Sequence, residues 1–229
     1  MKTRFLGTAA AIVALAFFAP VSSAQATVAK DNYLAVGDSI AYGVGVSTPY
    51  PELVDALSRG IEMAGNLSTS GGNVGEVAAQ LLSYSNRNDI RELTITVGAN
   101  DIGWADALLA CLGTSDCAND PALDAGLSAL SGNLLQLLVG AKALYPNATI
   151  SITGYYELFG DKAKACTVAP GVSVTVANKT WLNQAVKKLN ATIKAAAVSA
   201  GSRVVYVDFT KAFNGHGLCD TELPWVISG

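Results

Sequence analysis

Short apolar runs alternate along the chain with longer stretches whose apolar residues recur every three or four positions. The first run, Tyr33-Leu34-Ala35-Val36, ends at a glycine and reads as a buried strand. Leu93 to Val97 and Thr149 to Thr153 are rich in β-branched residues and also stop at a glycine. Arg203 to Val207 reads as a further strand, and Ile61 to Leu67 as a less clear one. Helices are predicted over Pro51 to Ser58, Glu76 to Ser83, Ala122 to Leu144 and Val176 to Ala200. In the last of these Trp181, Ala185, Leu189 and Ile193 stand four residues apart and form one apolar face. Strand and helix in repetition predict an α/β fold, a parallel sheet of about five strands covered by helices in a three-layer α/β/α sandwich.

The N-terminus changes the picture of where this domain works. Met1-Lys2-Thr3-Arg4 is basic, Phe5 to Val21 is apolar, and alanines at 24 and 26 form an A-x-A cleavage signal. Residues 1–26 therefore read as a signal peptide, residues 27–229 as one domain, and the protein as secreted with no stable membrane anchor. No other stretch reads as long and apolar enough to span a bilayer. Hydrophobic residues make up 51% of the chain and charged ones 14%, which suits a globular domain with a full core. The net charge is −3 and the fifteen Lys and Arg form no basic run, so nucleic acid is excluded as a partner; a monomer is expected. Four cysteines in an exported chain imply two disulfides with three possible pairings; Cys111–Cys117 and Cys166–Cys219 are the pairs expected. A zinc site is disfavoured, since His216 is the only histidine and no C-x-x-C occurs. No cofactor is implied either, because Gly43-Val44-Gly45 lacks the third glycine of a dinucleotide fingerprint.

In parallel sheets ligands bind beyond the carboxyl ends of the strands, so the residues after each strand carry the candidate chemistry. Gly37-Asp38-Ser39-Ile40 follows the first strand and would place the Ser39 hydroxyl at the mouth of the sheet as a nucleophile. Ser70-Gly71-Gly72-Asn73 follows the second strand, and Gly98-Ala99-Asn100-Asp101 the third. Gly71 offers an unobstructed backbone N–H and Asn100 a side-chain amide, donors of the kind that hold an oxyanion. Each block also has a plain structural reading: Gly37-Asp38-Ser39 as a turn, Gly71-Gly72 as the end of a strand and Asn100-Asp101 as the cap of the following helix. No G-x-S-x-G is present, which argues against the nucleophile elbow of the α/β-hydrolases.

Taken in order, these three blocks resemble the GDSL or SGNH hydrolase family, in which a serine, a glycine, an asparagine and a histidine come from four separate segments. Within it the chain looks most like the secreted actinobacterial lipases and esterases, given Asp101-Ile102-Gly103-Trp104 and Gly215-His216-Gly217-Leu218-Cys219. The resemblance implies a flavodoxin-like SGNH fold and a serine esterase or lipase acting on small-molecule or lipid esters. Ser39 would be the nucleophile, Gly71 and Asn100 the oxyanion donors and His216 the candidate base. Three departures stand out. Thr69 occupies the place of a cysteine that forms a third disulfide in those relatives. Position 213 is Phe, so His216 is not in the family's D-x-x-H block, and no closing helix follows it before Gly229. Gly215-His216 through Pro224-Trp225 also matches a segment that lies upstream of that block in the relatives. His216 is thus either the base, oriented by the Phe213 carbonyl, Asp208 or Asp220, or a loop histidine near Cys219. The alternative function is a catalytically impaired or truncated SGNH-fold protein, or a module binding acyl or glycan ligands, with part of one sheet face uncovered.

Overall fold

The computed structural model describes residues 30–113, 116–117, 121–160, 164–220 and 224–225; the expected signal peptide lies outside them. In chain order the first half runs β1 (Asp31–Gly37), α1 (Ser39–Tyr42), α2 (Tyr50–Leu57), β2 (Ile61–Asn66), α3 (Val74–Ser83), β3 (Ile90–Thr96) and α4 (Trp104–Gly113). The second half runs α5 (Pro121–Leu144), β4 (Thr149–Thr153), β5 (Cys166–Ala169), β6 (Val172–Val174), α6 (Val176–Ala200), β7 (Val204–Val207) and α7 (Thr210–Phe213). Five strands form one parallel sheet in the order β2-β1-β3-β4-β7, and β5 and β6 form a separate antiparallel hairpin.

The strands are parallel because each pair is joined through a helix, and the central ones carry apolar residues that the sheet can bury. Leu34 pairs with Leu93 and Val36 with Ile95, while Ile95 pairs with Ile152; all are fully buried. Right-handed crossovers place α3, α5 and α6 on one face and α1 and α2 on the other. The α5–α6 contact is the largest between helices, and Leu130, Leu134, Leu138, Leu189 and Ile193 fill the core beneath them. On the opposite face α2 packs against β2 and α1 against β1 and β3. Burial alternates along β3 and β4 accordingly: Ile150 and Ile152 are buried, whereas Thr94, Thr149 and Ser151 are partly open. Val205, on the edge strand β7, is 51% exposed. The second helical layer is thus incomplete over β4 and β7 among the described residues.

One expectation needs correcting. A stretch besides the N-terminus does have the length and mean hydropathy, 1.3, to cross a membrane: residues Ala122–Leu144 of α5. Its apolar residues serve the core instead, since Leu123, Leu127, Leu130, Leu134, Leu137 and Leu138 are buried against the sheet and α6. Both expected disulfides form, Cys111–Cys117 and Cys166–Cys219, with Cα separations of 5.0 and 5.6 Å. They frame a second small core in which Phe159, Val174 and Leu182 pack with Cys111 and Cys166.

Candidate active site

The end of β1 is held tightly against β3. Gly37 has φ 153°, and a Cβ there would stand 2.6 Å from the Thr96 carbonyl, so only glycine fits. The Asp38 amide donates to the same carbonyl at 2.9 Å. Asp38 then caps the one-turn helix α1, its Oδ1 accepting the Ile40 N–H at 3.0 Å. Gly43, in the left-handed region, ends the turn. Ser39 is the first residue of α1 and is partly exposed. The amides of residues 38 and 40 are both engaged, whereas that of Ser39 has no partner among the described residues.

The glycine segment is tied to this turn from two sides. Gln80 on α3 accepts the Gly37 N–H at 2.8 Å and donates to the Gly37 carbonyl at 3.0 Å and to Thr69 Oγ1 at 3.1 Å. Thr69, which stands where a cysteine was expected in relatives, is thus held by a hydrogen bond; its own amide donates to the Gly37 carbonyl. Gly71 has φ +82° and its Cβ position is open, so its glycine serves backbone conformation alone. Gly72 is the residue of close approach: a Cβ there would lie 2.9 Å from the Gly37 carbonyl and 3.4 Å from Asp38 Cα. The motif reading singled out Gly71 and passed over Gly72, whose adjacency in the Gly71-Gly72 pair was the available signal.

Asn100 opens a single 3₁₀ turn after β3, and its side-chain amide donates to the Gly72 carbonyl at 2.9 Å, joining the asparagine and glycine segments. One N–H of that amide is used in this way, leaving the second. The next residue, Asp101, accepts the Val74 N–H at 3.1 Å at the start of α3, and burial raises its carboxyl above the ordinary range.

Ser39 and Asn100 line one cavity of about 190 Å³ whose other walls include Ile40, Trp104, Tyr155, Leu158 and Leu189. Tyr155 follows β4, and no sequence motif pointed to it. Its hydroxyl donates a short hydrogen bond to Asp38 Oδ2 and accepts the Ala99 N–H at 3.2 Å. Burial, offset in part by the hydrogen bonds from Tyr155 and Ile40, pushes Asp38 up to about 6. Burial and the neighbouring Asp38 keep Tyr155 well above the usual phenol range. A larger cavity of about 430 Å³ lies between α3 and α5, but no serine or histidine lines it.

His216 sits in a different setting. Its ring stacks on Trp225 with centroids 3.7 Å apart and planes 8° apart, and its carbonyl accepts the Trp225 N–H. Phe213 packs edge-on against the same Trp225 and stacks on Tyr156, which lines the Ser39 cavity. His216 itself is not among the residues lining that cavity. The three expected orienting groups are each engaged with backbone: the Phe213 carbonyl with the His216 N–H, Asp208 with the Thr210 N–H and Asp220 with the Gly217 N–H. The bonds from Thr210 hold the Asp208 carboxyl below its ordinary range. Among the described residues no cluster of His, Cys, Asp or Glu has the makings of a metal site.

A parallel sheet with a serine turn on its first strand, braced by glycine and asparagine turns from its neighbours, defines an α/β protein with a cleft at its strand ends. The chain belongs to the GDSL-like lipase/acylhydrolase family, carboxylic ester hydrolases whose sequence model matches residues 35–224. It is 28% identical to Lipase 1 of Streptomyces coelicolor over 248 residues, covering 99% of this chain and 88% of that one. It is also 28% identical to a lipase of Streptomyces rimosus, with the same coverage. Among solved structures it is similar to the extracellular lipase from Streptomyces rimosus, with TM-score 0.70, 25% identity and 85% and 86% of the two chains covered. It is likewise similar to phospholipase A1 from Streptomyces albidoflavus NA297, with TM-score 0.71, 26% identity and 83% and 84% covered.

Proposed function

We propose that the protein is an exported esterase or lipase in which Ser39 attacks the ester carbonyl. The observation that carries this reading is that Ser39 and Asn100, from the ends of different strands, line one largely apolar cavity. Ser39 Oγ bonds to the carbonyl carbon, the carbonyl electron pair moves to oxygen, and the hydroxyl proton passes to an imidazole. The Ser39 and Gly71 amides and the second N–H of Asn100 hold the oxyanion. Collapse expels the alcohol, which takes the proton from the imidazole, and water repeats the sequence on the acyl-enzyme. His216 is the sequence's only histidine and is assigned this proton transfer. Export is supported by the N-terminal leader pattern, by two disulfides and by the extracellular relative.

A second reading rests on one observation, the flat stack of His216 on Trp225 outside the cavity lining. On that reading His216 supports the cavity wall through Trp225, Phe213 and Tyr156, and the chain binds acyl ligands with impaired turnover. Hydrolysis of p-nitrophenyl butyrate by the wild type, Ser39→Ala and His216→Ala separates the two. Wild-type turnover is expected, with a loss of about 10⁴-fold or more in each variant. Turnover that survives Ser39→Ala would overturn the nucleophile assignment. A loss below about tenfold in His216→Ala would place His216 in the wall.

A further inference from the structure

We propose that Tyr155 is a positioning residue that sets the distance between the Ser39 turn and the Asn100 turn by bridging Asp38 and Ala99. The inference rests on the Ser39 reading above and deepens it. One hydroxyl makes both contacts, donating to Asp38 Oδ2 across 117 residues of sequence and accepting the Ala99 N–H across 56. Each contact falls one residue before a proposed catalytic one: Asp38 precedes Ser39, and Ala99 precedes Asn100. The bridge therefore joins the residue before the nucleophile to the residue before the oxyanion donor through a single side chain.

Tyr155 is itself fixed. Asn190 on α6 accepts its N–H at 2.8 Å and donates to its carbonyl at 2.7 Å, so the ring projects from a clamped backbone. Beneath it Thr153 Oγ1 meets Thr96 Oγ1 at 2.7 Å, and Thr96 meets the Tyr50 hydroxyl at 2.9 Å, so β3 and β4 cannot slide without breaking buried bonds. Asp38 divides its two oxygens between the turns: Oδ1 accepts the Ile40 N–H and with it holds the pitch of α1, and Oδ2 accepts a hydrogen bond from the Tyr155 hydroxyl. Among the described residues no cation is recorded beside Asp38: burial and Asp101 disfavour its ionised form, while the hydrogen bonds from Tyr155 and Ile40 favour it. Among the described residues the tyrosine hydroxyl is thus the only side-chain donor to the Asp38 carboxyl, and a carboxyl satisfied in this way keeps one orientation.

Tyr155→Phe keeps the ring that walls the cavity and removes only the bridge. With p-nitrophenyl butyrate it is expected to lower kcat about tenfold while KM stays within twofold, because a hydrogen bond to a charged group is lost at the turn and not at the substrate. The acid limb of its kcat profile should move to higher pH, since Asp38 loses the donor that favours its ionised form. Asp38→Asn keeps a helix-capping side chain and attacks the bridge from the other end. It should lower kcat in the same way, and the double variant should lose no more than the worse single one. Unchanged kcat in Tyr155→Phe, a rise in KM matching the loss in kcat/KM, or additive losses in the double variant would each overturn the bridge. Failure of the Ser39 reading looks different: the wild type itself would neither hydrolyse the ester nor be labelled at Ser39 by a fluorophosphonate. Should Tyr155→Phe fail to fold, the kcat and KM of Asp38→Asn decide the matter alone.

Discussion

At Asp38 folding takes a carboxyl group out of water without giving it a cation. It is 1% exposed, and the ion pairs among the described residues, Lys187–Glu157 and Lys188–Asp124, lie elsewhere. Burial lifts it from 3.8 to about 6, so between those values the folded protein holds a proton that the unfolded chain has released. The stability linked to that proton is present at low pH and is lost as pH rises through about 6, on the order of 3 kcal/mol in total. Asp38→Asn cannot lose a proton. Denaturant unfolding should therefore show wild type losing ground to Asp38→Asn between pH 4 and pH 7; a difference independent of pH would contradict the buried, uncompensated carboxyl. This residue also shows how far a motif reading reaches. Ser39 and Asn100 were legible because small polar residues follow strands in a recognisable order. Tyr155 was not, because its importance comes from a hydroxyl that reaches residues 117 and 56 positions away, and nothing local marks it.

Between β2 and α3 the two adjacent glycines do different jobs. Gly71 needs a positive φ in open space, while Gly72 needs the absence of a side chain against the Gly37 carbonyl. An alanine at 71 should cost about 1–2 kcal/mol of backbone strain and leave its N–H in place, so activity on p-nitrophenyl butyrate should fall only severalfold. At 72 an alanine presses on the carbonyl that also accepts from Thr69 and Gln80, and displaces the Ser39 turn. Gly72→Ala should therefore lose at least tenfold more activity than Gly71→Ala at comparable melting temperature; the reverse order would reassign the close approach. Element boundaries followed the same logic. β4 and α6 match their expected ranges to the residue, whereas α3 begins two residues before the expected Glu76, at Val74. Asn73 and Glu76 form a reciprocal capping box, a spacing present in the sequence that places the helix start ahead of its first strongly periodic residues. Within the parallel sheet β2 was the least legible strand because it is an edge strand, only half buried, with Gly65 and a register shift opposite Tyr33 and Leu34. The β5–β6 hairpin and α4 were missed altogether: the strands are four and three residues long, and α4 lies against the hairpin and the disulfides more than against the sheet.

For the molecule as a whole, the alternating pattern was enough to predict a parallel α/β sheet, but not how evenly its faces are covered. Ile150 and Ile152 of β4 point into the layer of α5 and α6, while Thr149 and Ser151 face the side where α1 and α2 cover other strands. Ser151 pairs with Val205 and Thr153 with Val207 at the edge strand β7. The open half of the sheet thus carries the hydroxyl-bearing Thr149 and Ser151 on β4, which hydrogen-bond with water at little cost, and two valines on β7, Val205 and the less exposed Val207. That composition predicts a strong asymmetry between the faces. Val205→Lys should change unfolding free energy by less than about 1 kcal/mol, because its side chain remains in solvent. Ile152→Lys on the neighbouring strand should cost about 4 kcal/mol or more, or prevent folding, because it buries an unpaired ammonium under α6. Urea unfolding of the two variants checks both numbers. A cost of several kcal/mol at Val205 would mean that this face is covered in the protein in solution, and comparable tolerance at Ile152 would mean that the helical layer above β4 is not the core described here.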